Sequence, residues 1–348
     1  MAAPYYVTHD AGGEGVGSEG DPFTLAEACD AVAAGETVYV KASGDYTVQD
    51  GANNCVMHIT VAGTSGAVIN WIGYHTTITD GGIVKINADT NSLASAAISA
   101  GGVYNAYVNF DFQGASGDGF SAVVDDYIVF KNCRFYLNDG HGVSGDNYMR
   151  FVNCIASNNG ASGFDGDVNH VFICCISHTN VKGFYVDLND ALMYNCLAYN
   201  NSSHDYECGN ARAALLGCTT DCEGAAGDYC MSLSGIMDTV VNCVLHDGDY
   251  GIYSATYGGH GVISRHNVFN SSNTADVRAN YWLPTSEGDG TGNRGDVVDP
   301  ATMFLNEAAD DYTPHATGGM VGVGIDAYFC QQFWADYNNG AGDNPPAE

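Results

Sequence analysis

Short apolar runs alternate with Gly, Asn and Asp along most of the chain. Runs such as Tyr127–Phe130 and His170–Ile173 have the length of β-strands and are rich in β-branched and aromatic residues. One column of cysteines keeps step with these runs at intervals of 21, 21, 21, 22 and 25 residues: Cys133, Cys154, Cys175, Cys196, Cys218 and Cys243. A second column, glycine followed by an apolar residue, shares the period: Gly119-Phe120, Gly142-Val143, Gly163-Phe164, Gly183-Phe184 and Gly251-Ile252. Two columns with one common period indicate a repeat array.

The length of the period decides which kind of repeat this is. About 22 residues per coil leave no room for a helical hairpin, and the leucine spacing of leucine-rich repeats is absent. A coil of two or three short strands fits instead, with equivalent residues of successive coils stacked about 4.8 Å apart. We therefore predict an all-β fold, a right-handed single-stranded parallel β-helix. Eight coils are expected over residues 103–283, and the less regular segment 37–100 is expected to add three more.

Both ends of the predicted β-helix have the composition of caps, which a solenoid needs to cover its terminal coils. The segment Phe23–Val32 has helical spacing, with Asp21 as the predicted N-cap and Pro22 as the first helical residue. The predicted division of the chain is an N-terminal cap at 1–36, a parallel β-helix at 37–283, an irregular C-terminal cap at 284–337 and a flexible tail at 338–348.

The cysteines are too sparse for a disulfide scaffold, with 13 in 348 residues. We expect the six cysteines of the column to stack in one inward ladder of free thiols, because buried cysteine packs as a small hydrophobe. The asparagines that precede several of them are expected to form an amide ladder at a coil corner. A disulfide elsewhere, for example between Cys218 and Cys222, is the alternative.

Charge narrows the range of functions. Ten Lys and Arg residues face 41 Asp and Glu residues, for a formal net charge of −31 at pH 7. This balance disfavours nucleic-acid binding, and it repels anionic membranes and uronic-acid polymers unless cations screen it. No apolar run reaches the ~18 residues of a membrane span. The first residues lack the basic and apolar stretches of a secretory signal, so we expect either that a leader has been removed or that the protein is made in a cytoplasm.

A stripe of carboxylates follows the glycine column. Asp146, Asp167 and Asp187 share one register on three successive coils, with Asp165 and Glu207 on a neighbouring register. Carboxylates about 5 Å apart repel one another, so one titrates high or a cation lies between them. That separation also suits the carboxylate pair of a retaining glycosidase, whereas the alternative is a hydrated acidic stripe. No cofactor is predicted to be required, and Ca²⁺ is the ion that this stripe would bind.

Two terminal segments resemble parts of a known superfamily. The run Tyr5–Tyr46, with PFTLAEA followed by GETVYVKASGDYT, resembles the opening of pectin-lyase-like proteins. The run VVDPATMFLNEAADDYTP…GVGIDAYF resembles their closing segment. The resemblance implies a right-handed parallel β-helix. It leaves the function open, because the superfamily includes lyases, hydrolases, epimerases, phage tailspikes and non-catalytic surface proteins.

A shorter motif resembles part of the catalytic site of polygalacturonases. Gly140-His141-Gly142-Val143-Ser144 is similar to their GHG-[LI]-S element, in which the histidine assists a carboxylate cluster. Asp118, one coil earlier, matches one of their paired aspartates, but Gly117 takes the place of the other. Their Asn-Thr-Asp and Arg-Ile-Lys elements are missing. The resemblance implies His141 and Asp118 as catalytic candidates, and ordinary turn chemistry is the alternative.

Tyrosines supply a further candidate surface. Four of the 22 tyrosines lie near the glycine column on successive coils and are predicted glycan-binding residues: Tyr185, Tyr206, Tyr229 and Tyr253. Exposed aromatic rings pack against the faces of sugars, although some of these rings are expected to be core residues instead.

Three functions follow as hypotheses. We favour a non-catalytic structural or adhesive protein of a bacteriophage virion, associated with capsid or tail, that binds glycans. It would be made in the host cytoplasm and displayed on the virion surface, with other virion or surface proteins and polysaccharide as partners and a homotrimer as one assembly. A polysaccharide hydrolase or lyase acting through the acidic stripe is the second hypothesis. A bacterial protein at the cell surface or outside the cell is the third.

Overall fold

The computed structural model describes residues 4–48, 53–89, 92–222, 229–234, 238–241, 243–246, 250–254, 263–265, 267–270, 275–279, 304–306 and 311–314. The chain divides into two compact units. Unit 1 comprises Met1–Val171 and His178–Val181, and unit 2 comprises Phe172–Ser177 and Lys182–Glu348. The described residues are almost entirely β-structure, so the predicted all-β fold is confirmed. Among them, no helix has the length and apolar composition needed to cross a membrane.

The single helix of the described part, α1 (Leu25–Ala31), begins at a capping box. The Thr24 side chain accepts a hydrogen bond from the Glu27 amide at 3.2 Å, and the Glu27 carboxylate accepts one from the Thr24 amide at 2.8 Å. The prediction of Asp21 as N-cap and Pro22 as first helical residue is wrong. Thr24 is preferred because its partnership with Glu27 satisfies two amides at the helix start, where a lone aspartate satisfies one.

Unit 1 consists of three parallel ladders, to each of which a coil contributes one strand. The first ladder contains β1 (Tyr5–Val7), β2 (Thr37–Lys41), β4 (Ile69–Tyr74), β7 (Asn105–Val108), β10 (Val129–Lys131) and β13 (Arg150–Val152). The second contains β3 (Cys55–Ile59), β6 (Ser95–Ser99), β9 (Phe120–Asp126), β12 (Val143–Asn147) and β15 (Ser162–Ile173), whose last two residues belong to unit 2. The third contains β5 (Val84–Asn87), β8 (Phe110–Gln113), β11 (Arg134–Tyr136) and β14 (Ile155–Ser157). This is the strand pairing of a parallel β-helix, and it includes the segment 37–100.

Unit 2 has the same kind of pairing with longer strands. β17 (Lys182–Tyr194) pairs with β19 (His204–Leu216) along most of its length. The first half of β19 pairs with β21 (Tyr229–Leu233), which is followed in the same ladder by β24 (Tyr250–Ser254) and β27 (Ala275–Ala279). The second half of β19 pairs with β22 (Thr239–Val241), which pairs in turn with β25 (Ile263–Arg265). The other parallel ladder contains β16 (Ile176–His178), β18 (Leu197–Tyr199), β20 (Thr219–Asp221), β23 (Val244–His246) and β26 (Val268–Asn270).

The predicted C-terminal cap, residues 284–337, lies mostly outside the described residues. Within it the structure describes an antiparallel pair of strands, β28 (Phe304–Asn306) and β29 (Asp311–Pro314). The predicted tail at 338–348 lies wholly outside the described part, so both assignments stay predictions.

Aromatic rings from equivalent positions stack inside each unit. In unit 1, Tyr107, Phe130 and Phe151 share one register, with successive ring centroids 5.4 and 5.2 Å apart. In unit 2, the rings of Phe184 and Tyr206 are stacked at 5.0 Å. All five side chains are buried. Successive coils place equivalent side chains one strand spacing apart, which is the distance at which flat rings pack face to face.

A residue in the left-handed conformation turns the chain just before the column cysteines. Asn132 and Asn153 in unit 1 have φ of 54° and 52°, and Asn195 and Gly217 in unit 2 have 50° and 65°. Asparagine and glycine enter this region at the least steric cost, so the corner geometry explains the Asn-Cys pairs. The Asn132 side-chain amide also donates to Asn109 Oδ1 at 3.3 Å, one coil earlier.

The column cysteines are buried thiols in both units, without disulfide bonds. Cys133 and Cys154 are neighbours in unit 1, and in unit 2 Cys196 lies between Cys175 and Cys218. Burial raises the pKa of the Cys133 and Cys196 thiols, because a thiolate there would lose its hydration.

We expect these thiols to be unreactive in the folded protein. All twelve cysteines of the described part are buried, and only the thiolate reacts with disulfide reagents. In the native state, at most one thiol should react rapidly with dithionitrobenzoate, namely Cys330, which lies outside the described residues. All 13 should react after denaturation. Several fast native thiols would contradict an inward ladder.

Candidate functional site

A histidine–carboxylate pair lies on the outer surface of the second ladder of unit 1. His141 precedes β12, and its Nδ1 lies 2.9 Å from Asp165 Oδ2 on β15. The same nitrogen lies 3.2 Å from the Ser162 amide nitrogen. The side chains of His141 and Asp165 are 30% and 19% exposed, so solvent reaches both. The Gly-His-Gly motif thus sets its histidine against a carboxylate of the following coil.

Asp118 holds the turn that presents His141. Its carboxylate accepts a hydrogen bond from the His141 amide at 2.9 Å. Gly140 is required beside it, because a Cβ at residue 140 would lie 2.5 Å from Asp118 Oδ1. The described contact of Asp118 with the motif therefore runs through the backbone of His141, and it positions the turn.

The structure describes the predicted acidic stripe only in part. The backbone of Asp146 on β12 lies opposite that of Asp167 on β15, as the register of the flanking residues shows. The side chain of Asp146 lies outside the described part, and Asp167 is half-buried. Asp187, also half-buried, belongs to unit 2, where a Cβ at Gly209 would lie 2.2 Å from its Oδ1. Stacking of all three carboxylates therefore stays a prediction.

The predicted calcium site depends on the same stripe. Among the residues that the structure describes, no group of three or more His, Cys, Asp or Glu side chains is arranged to hold a metal ion. Because the Asp146 side chain is not among them, calcium binding also stays a prediction.

A second group of polar and aromatic side chains lies on the outside of unit 2. We call it the outer cluster, and its members are Lys182, Tyr185, His204, Glu207, Tyr229 and Tyr253. One column of paired residues runs from Lys182 through His204 to Tyr229. A neighbouring column runs from Tyr185 through Glu207 and Ser232 to Tyr253. Four strands, β17, β19, β21 and β24, thus bring the six side chains together.

Ionic contacts fix the first half of the outer cluster. Lys182 Nζ lies 2.7 Å from Glu207 Oε2 and 4.0 Å from the centre of the Tyr185 ring, a cation–π distance. His204 Nδ1 lies 3.9 Å from the same Oε2 and 2.5 Å from Ser203 Oγ. Lys182, Glu207 and His204 are 29%, 23% and 18% exposed, which leaves each of them open to a ligand.

Ring contacts fix the second half of the outer cluster. The Tyr229 ring lies 5.0 Å from the His204 ring and 4.5 Å from the Tyr253 ring, with planes inclined by 32° and 27°. The three side chains are half-buried. The three rings therefore form one packed column, and each side chain stays partly accessible to solvent.

Burial lowers the pKa of His204; Glu207 opposes this shift, and Lys182 adds to it. The net shift is downward, so the imidazole is uncharged at neutral pH. An uncharged imidazole offers one hydrogen-bond donor and one acceptor, which suits a ligand hydroxyl.

Tyr206 is not a surface residue, so its assignment as a glycan-binding tyrosine is wrong. It is fully buried, stacks on Phe184, and its hydroxyl donates to the Thr219 carbonyl at 3.3 Å. In register it continues the apolar position of the glycine column after Phe184. Its spacing of 22 residues from Phe184 is the sequence signal that could have revealed this, but Asp205 replaces the expected glycine.

A buried acidic group inside unit 2 was not predicted. Asp205 is fully buried and accepts hydrogen bonds from the Asn201 side-chain amide at 2.8 Å and the Asp221 backbone amide at 3.0 Å. The Asp221 Oδ1 lies 3.1 Å from His246 Nδ1, and both side chains are almost inaccessible. No motif marks these residues; the one signal is an aspartate at the inward glycine position of a coil.

Comparison with known proteins identifies the fold through solved structures. No protein-family model matches the sequence, and no curated protein matches it. Among solved structures, the chain is similar to pectate lyase Pel9A, with a TM-score of 0.60 and 16% identity over 92% of this chain and 91% of that one. It is also similar to a rhamnogalacturonan lyase, with a TM-score of 0.56 and 18% identity over 95% of this chain and 98% of that one.

A weaker likeness, to the Dettilon tailspike protein, has a TM-score of 0.40 and 13% identity over 70% of this chain and 58% of that one. A TM-score of 0.40 is too low to support an inference about this chain. The two lyase structures, at such low identity, show the fold alone: a right-handed parallel β-helix. This confirms the fold that the repeats and the terminal segments predicted.

Proposed function

We propose that the protein is a non-catalytic surface protein that binds a glycan along the outer cluster of unit 2. The observation that carries the proposal is that partly exposed, packed rings lie beside polar side chains held by mutual contacts. Tyrosine gives a large contact area with little conformational freedom to lose, and the Lys182–Glu207 pair and His204 offer donors and acceptors for hydroxyls. Pre-ordered groups of this kind reduce the entropy lost on binding.

The charge of the chain favours a neutral glycan. The outer cluster holds one cation and one anion, Lys182 and Glu207, at 2.7 Å, so its own charge is balanced. The chain as a whole carries a net charge of −31. A polymer of uronic acids would be repelled by this field at low ionic strength, whereas a neutral polysaccharide would not.

Binding and cleavage are distinguished by one set of measurements. Neutral and acidic polysaccharides are titrated into the protein by calorimetry, and each mixture is analysed for new reducing ends and for unsaturated products. We expect binding of a neutral polysaccharide without products. Tyr229→Ala and Tyr253→Ala should each weaken it at least ten-fold, because each removes half of a stacked pair.

Tyr127→Ala is the matched control, since Tyr127 is an exposed, stacked tyrosine of unit 1. It should leave the affinity unchanged. The proposal fails if no polysaccharide binds, or if the control weakens binding as much as Tyr229→Ala does.

A hydrolase or lyase is the second candidate function. The His141–Asp165 pair at 2.9 Å and the uncharged His204 beside Glu207 are the groups that favour it, since both sites join a proton acceptor to a carboxylate. Product formation abolished by His204→Gln or by Asp165→Asn would establish this function and replace binding as the main activity.

We place the protein on a bacteriophage virion, with a bacterial surface as the alternative. The column of buried thiols supports assembly in a reducing cytoplasm, because the cysteines of proteins made for oxidising compartments commonly pair as disulfides. Mass spectrometry of purified particles would test the location, and light scattering of the protein would test a homotrimer.

A further inference from the structure

A polar cavity of about 330 Å³ opens in unit 1 where strands of the third ladder end. β5 ends at Asn87 and β8 at Gln113, which lie in register, and Leu137 directly follows β11. The cavity is therefore built by three successive coils. Its volume is at the lower end of the range of ligand pockets, about 300–1,000 Å³. None of its lining residues belongs to the outer cluster or to the His141–Asp165 pair.

The walls of the cavity are fixed by hydrogen bonds. The Asn87 side chain donates to Asp45 Oδ2 and accepts from the Asp89 amide, both at 3.0 Å. The Asp139 amide donates to the Ala115 carbonyl at 2.8 Å. A binding site whose backbone is already held needs little ordering when a ligand enters.

Gly114 keeps the cavity open. It has a φ of +71°, and a Cβ at this position would lie 2.6 Å from the Asp89 Cβ and 2.8 Å from the Asp89 nitrogen. Any side chain at residue 114 would therefore push the Asp89 turn away from its place. The glycine satisfies both the left-handed backbone and the close approach of the next turn.

Three polar side chains face the cavity with their hydrogen-bonding capacity unused by other described residues: Asp89, Gln113 and Asp139. Leu137, which is 60% exposed, adds an apolar surface. Two carboxylates accept hydrogen bonds only, and the amide of Gln113 both donates and accepts. The lining residues include no Lys or Arg, so an anionic ligand would be repelled.

We propose that this cavity binds one neutral sugar residue, as a site separate from the outer cluster. Neighbouring sugar hydroxyls would donate to Asp89 and Asp139, Gln113 would bind a third polar group, and the apolar C–H face would pack on Leu137. The proposal goes beyond glycan binding at the outer cluster, because each site can exist without the other.

The test is ligand-observed NMR with a panel of neutral mono- and disaccharides, repeated with the matching uronic acids, together with calorimetry of CaCl₂ alone. We expect saturation transfer to at least one neutral sugar and to no uronic acid. Gln113→Ala and Asp139→Ala should each raise its dissociation constant at least ten-fold. Thermal unfolding midpoints check that both variants fold.

One control lies outside both sites. Asp10→Ala removes another exposed carboxylate of unit 1 and should leave sugar binding at the cavity unchanged. Loss of the signal in Tyr229→Ala with no effect of Gln113→Ala would overturn the cavity site and support the outer cluster. Absence of any sugar signal, or a response to Ca²⁺ alone that Asp139→Ala abolishes, would overturn it as well.

Discussion

Replacing Phe130 with alanine is expected to lower the free energy of unfolding by about 3–5 kcal/mol, the range for removing a fully buried aromatic side chain. The ring is inaccessible to solvent and stacks between Tyr107 and Phe151 in successive coils. It also meets Phe120 edge to face at 4.8 Å. The neighbouring coils are pinned by their own backbone ladders, so they cannot collapse into the space. Urea denaturation, followed by tyrosine and tryptophan fluorescence, measures the change.

Val48→Ala is the control for this substitution, because Val48 is 75% exposed in the same unit. Its effect should stay within about 0.5 kcal/mol. Phe130→Leu keeps the apolar character and most of the volume, so its loss should be smaller than that of the alanine variant. Equal stability of Phe130→Ala and Val48→Ala would show that the interior of unit 1 is not a packed ring column.

The repeat could be predicted because each coil carries the same local requirements. A corner in the left-handed region selects Asn or Gly, and the narrow interior next to it selects a small apolar residue, so the pair Asn132-Cys133 recurs at Asn153-Cys154 and Asn195-Cys196. Both requirements come from a few neighbouring residues, which is why the sequence alone reveals them.

The sites were less predictable because they depend on which side of a strand a residue faces. Tyr206 and Glu207 are adjacent in β19, yet the first is core and the second belongs to the outer cluster. The missing glycine before Tyr206 hid that alternation. Asp118 was matched to a catalytic aspartate by motif, but its carboxylate binds the His141 backbone. Such a contact depends on the positions of two coils, and no local pattern encodes it.

Asp205→Asn is expected to remove a strong pH dependence of stability. Burial raises the pKa of Asp205 well above its usual value; the Asn201 hydrogen bond opposes this, and the charge of Asp221 adds to it. The folded protein then holds a proton at Asp205 that the unfolded chain has lost. Stability is therefore full below the unfolded-state pKa and falls as the pH rises toward the folded-state pKa, by up to about 1.4 kcal/mol per pH unit.

The hydrogen-bond partners of Asp205 oppose the effect of its burial. The Cys230 thiol is placed to donate to the His246 carbonyl, and Cys222 Sγ lies 3.3 Å from Cys230 Sγ and 3.5 Å from Asp205 Oδ2. Cys222 is thus placed to donate its thiol hydrogen either to Cys230 or to Asp205 Oδ2. A bond to the carboxylate lowers the pKa of Asp205, as the amides of Asn201 and Asp221 do, so burial is the largest factor that raises it.

Urea unfolding of the wild type and of Asp205→Asn at pH 5, 6, 7 and 8 tests this. The wild type should lose stability with rising pH more steeply than the variant, because the amide of the variant does not ionise. The variant can be the less stable protein at pH 5, since its side chain no longer accepts a bond from the Asp221 amide. The test is therefore the slope and not the absolute stability. Asp190→Asn removes a carboxylate that is 49% exposed and paired with Arg212 at the surface, so it should keep the wild-type slope. Parallel curves for the wild type and Asp205→Asn would mean that Asp205 is ionised in the folded protein and that its donors outweigh its burial.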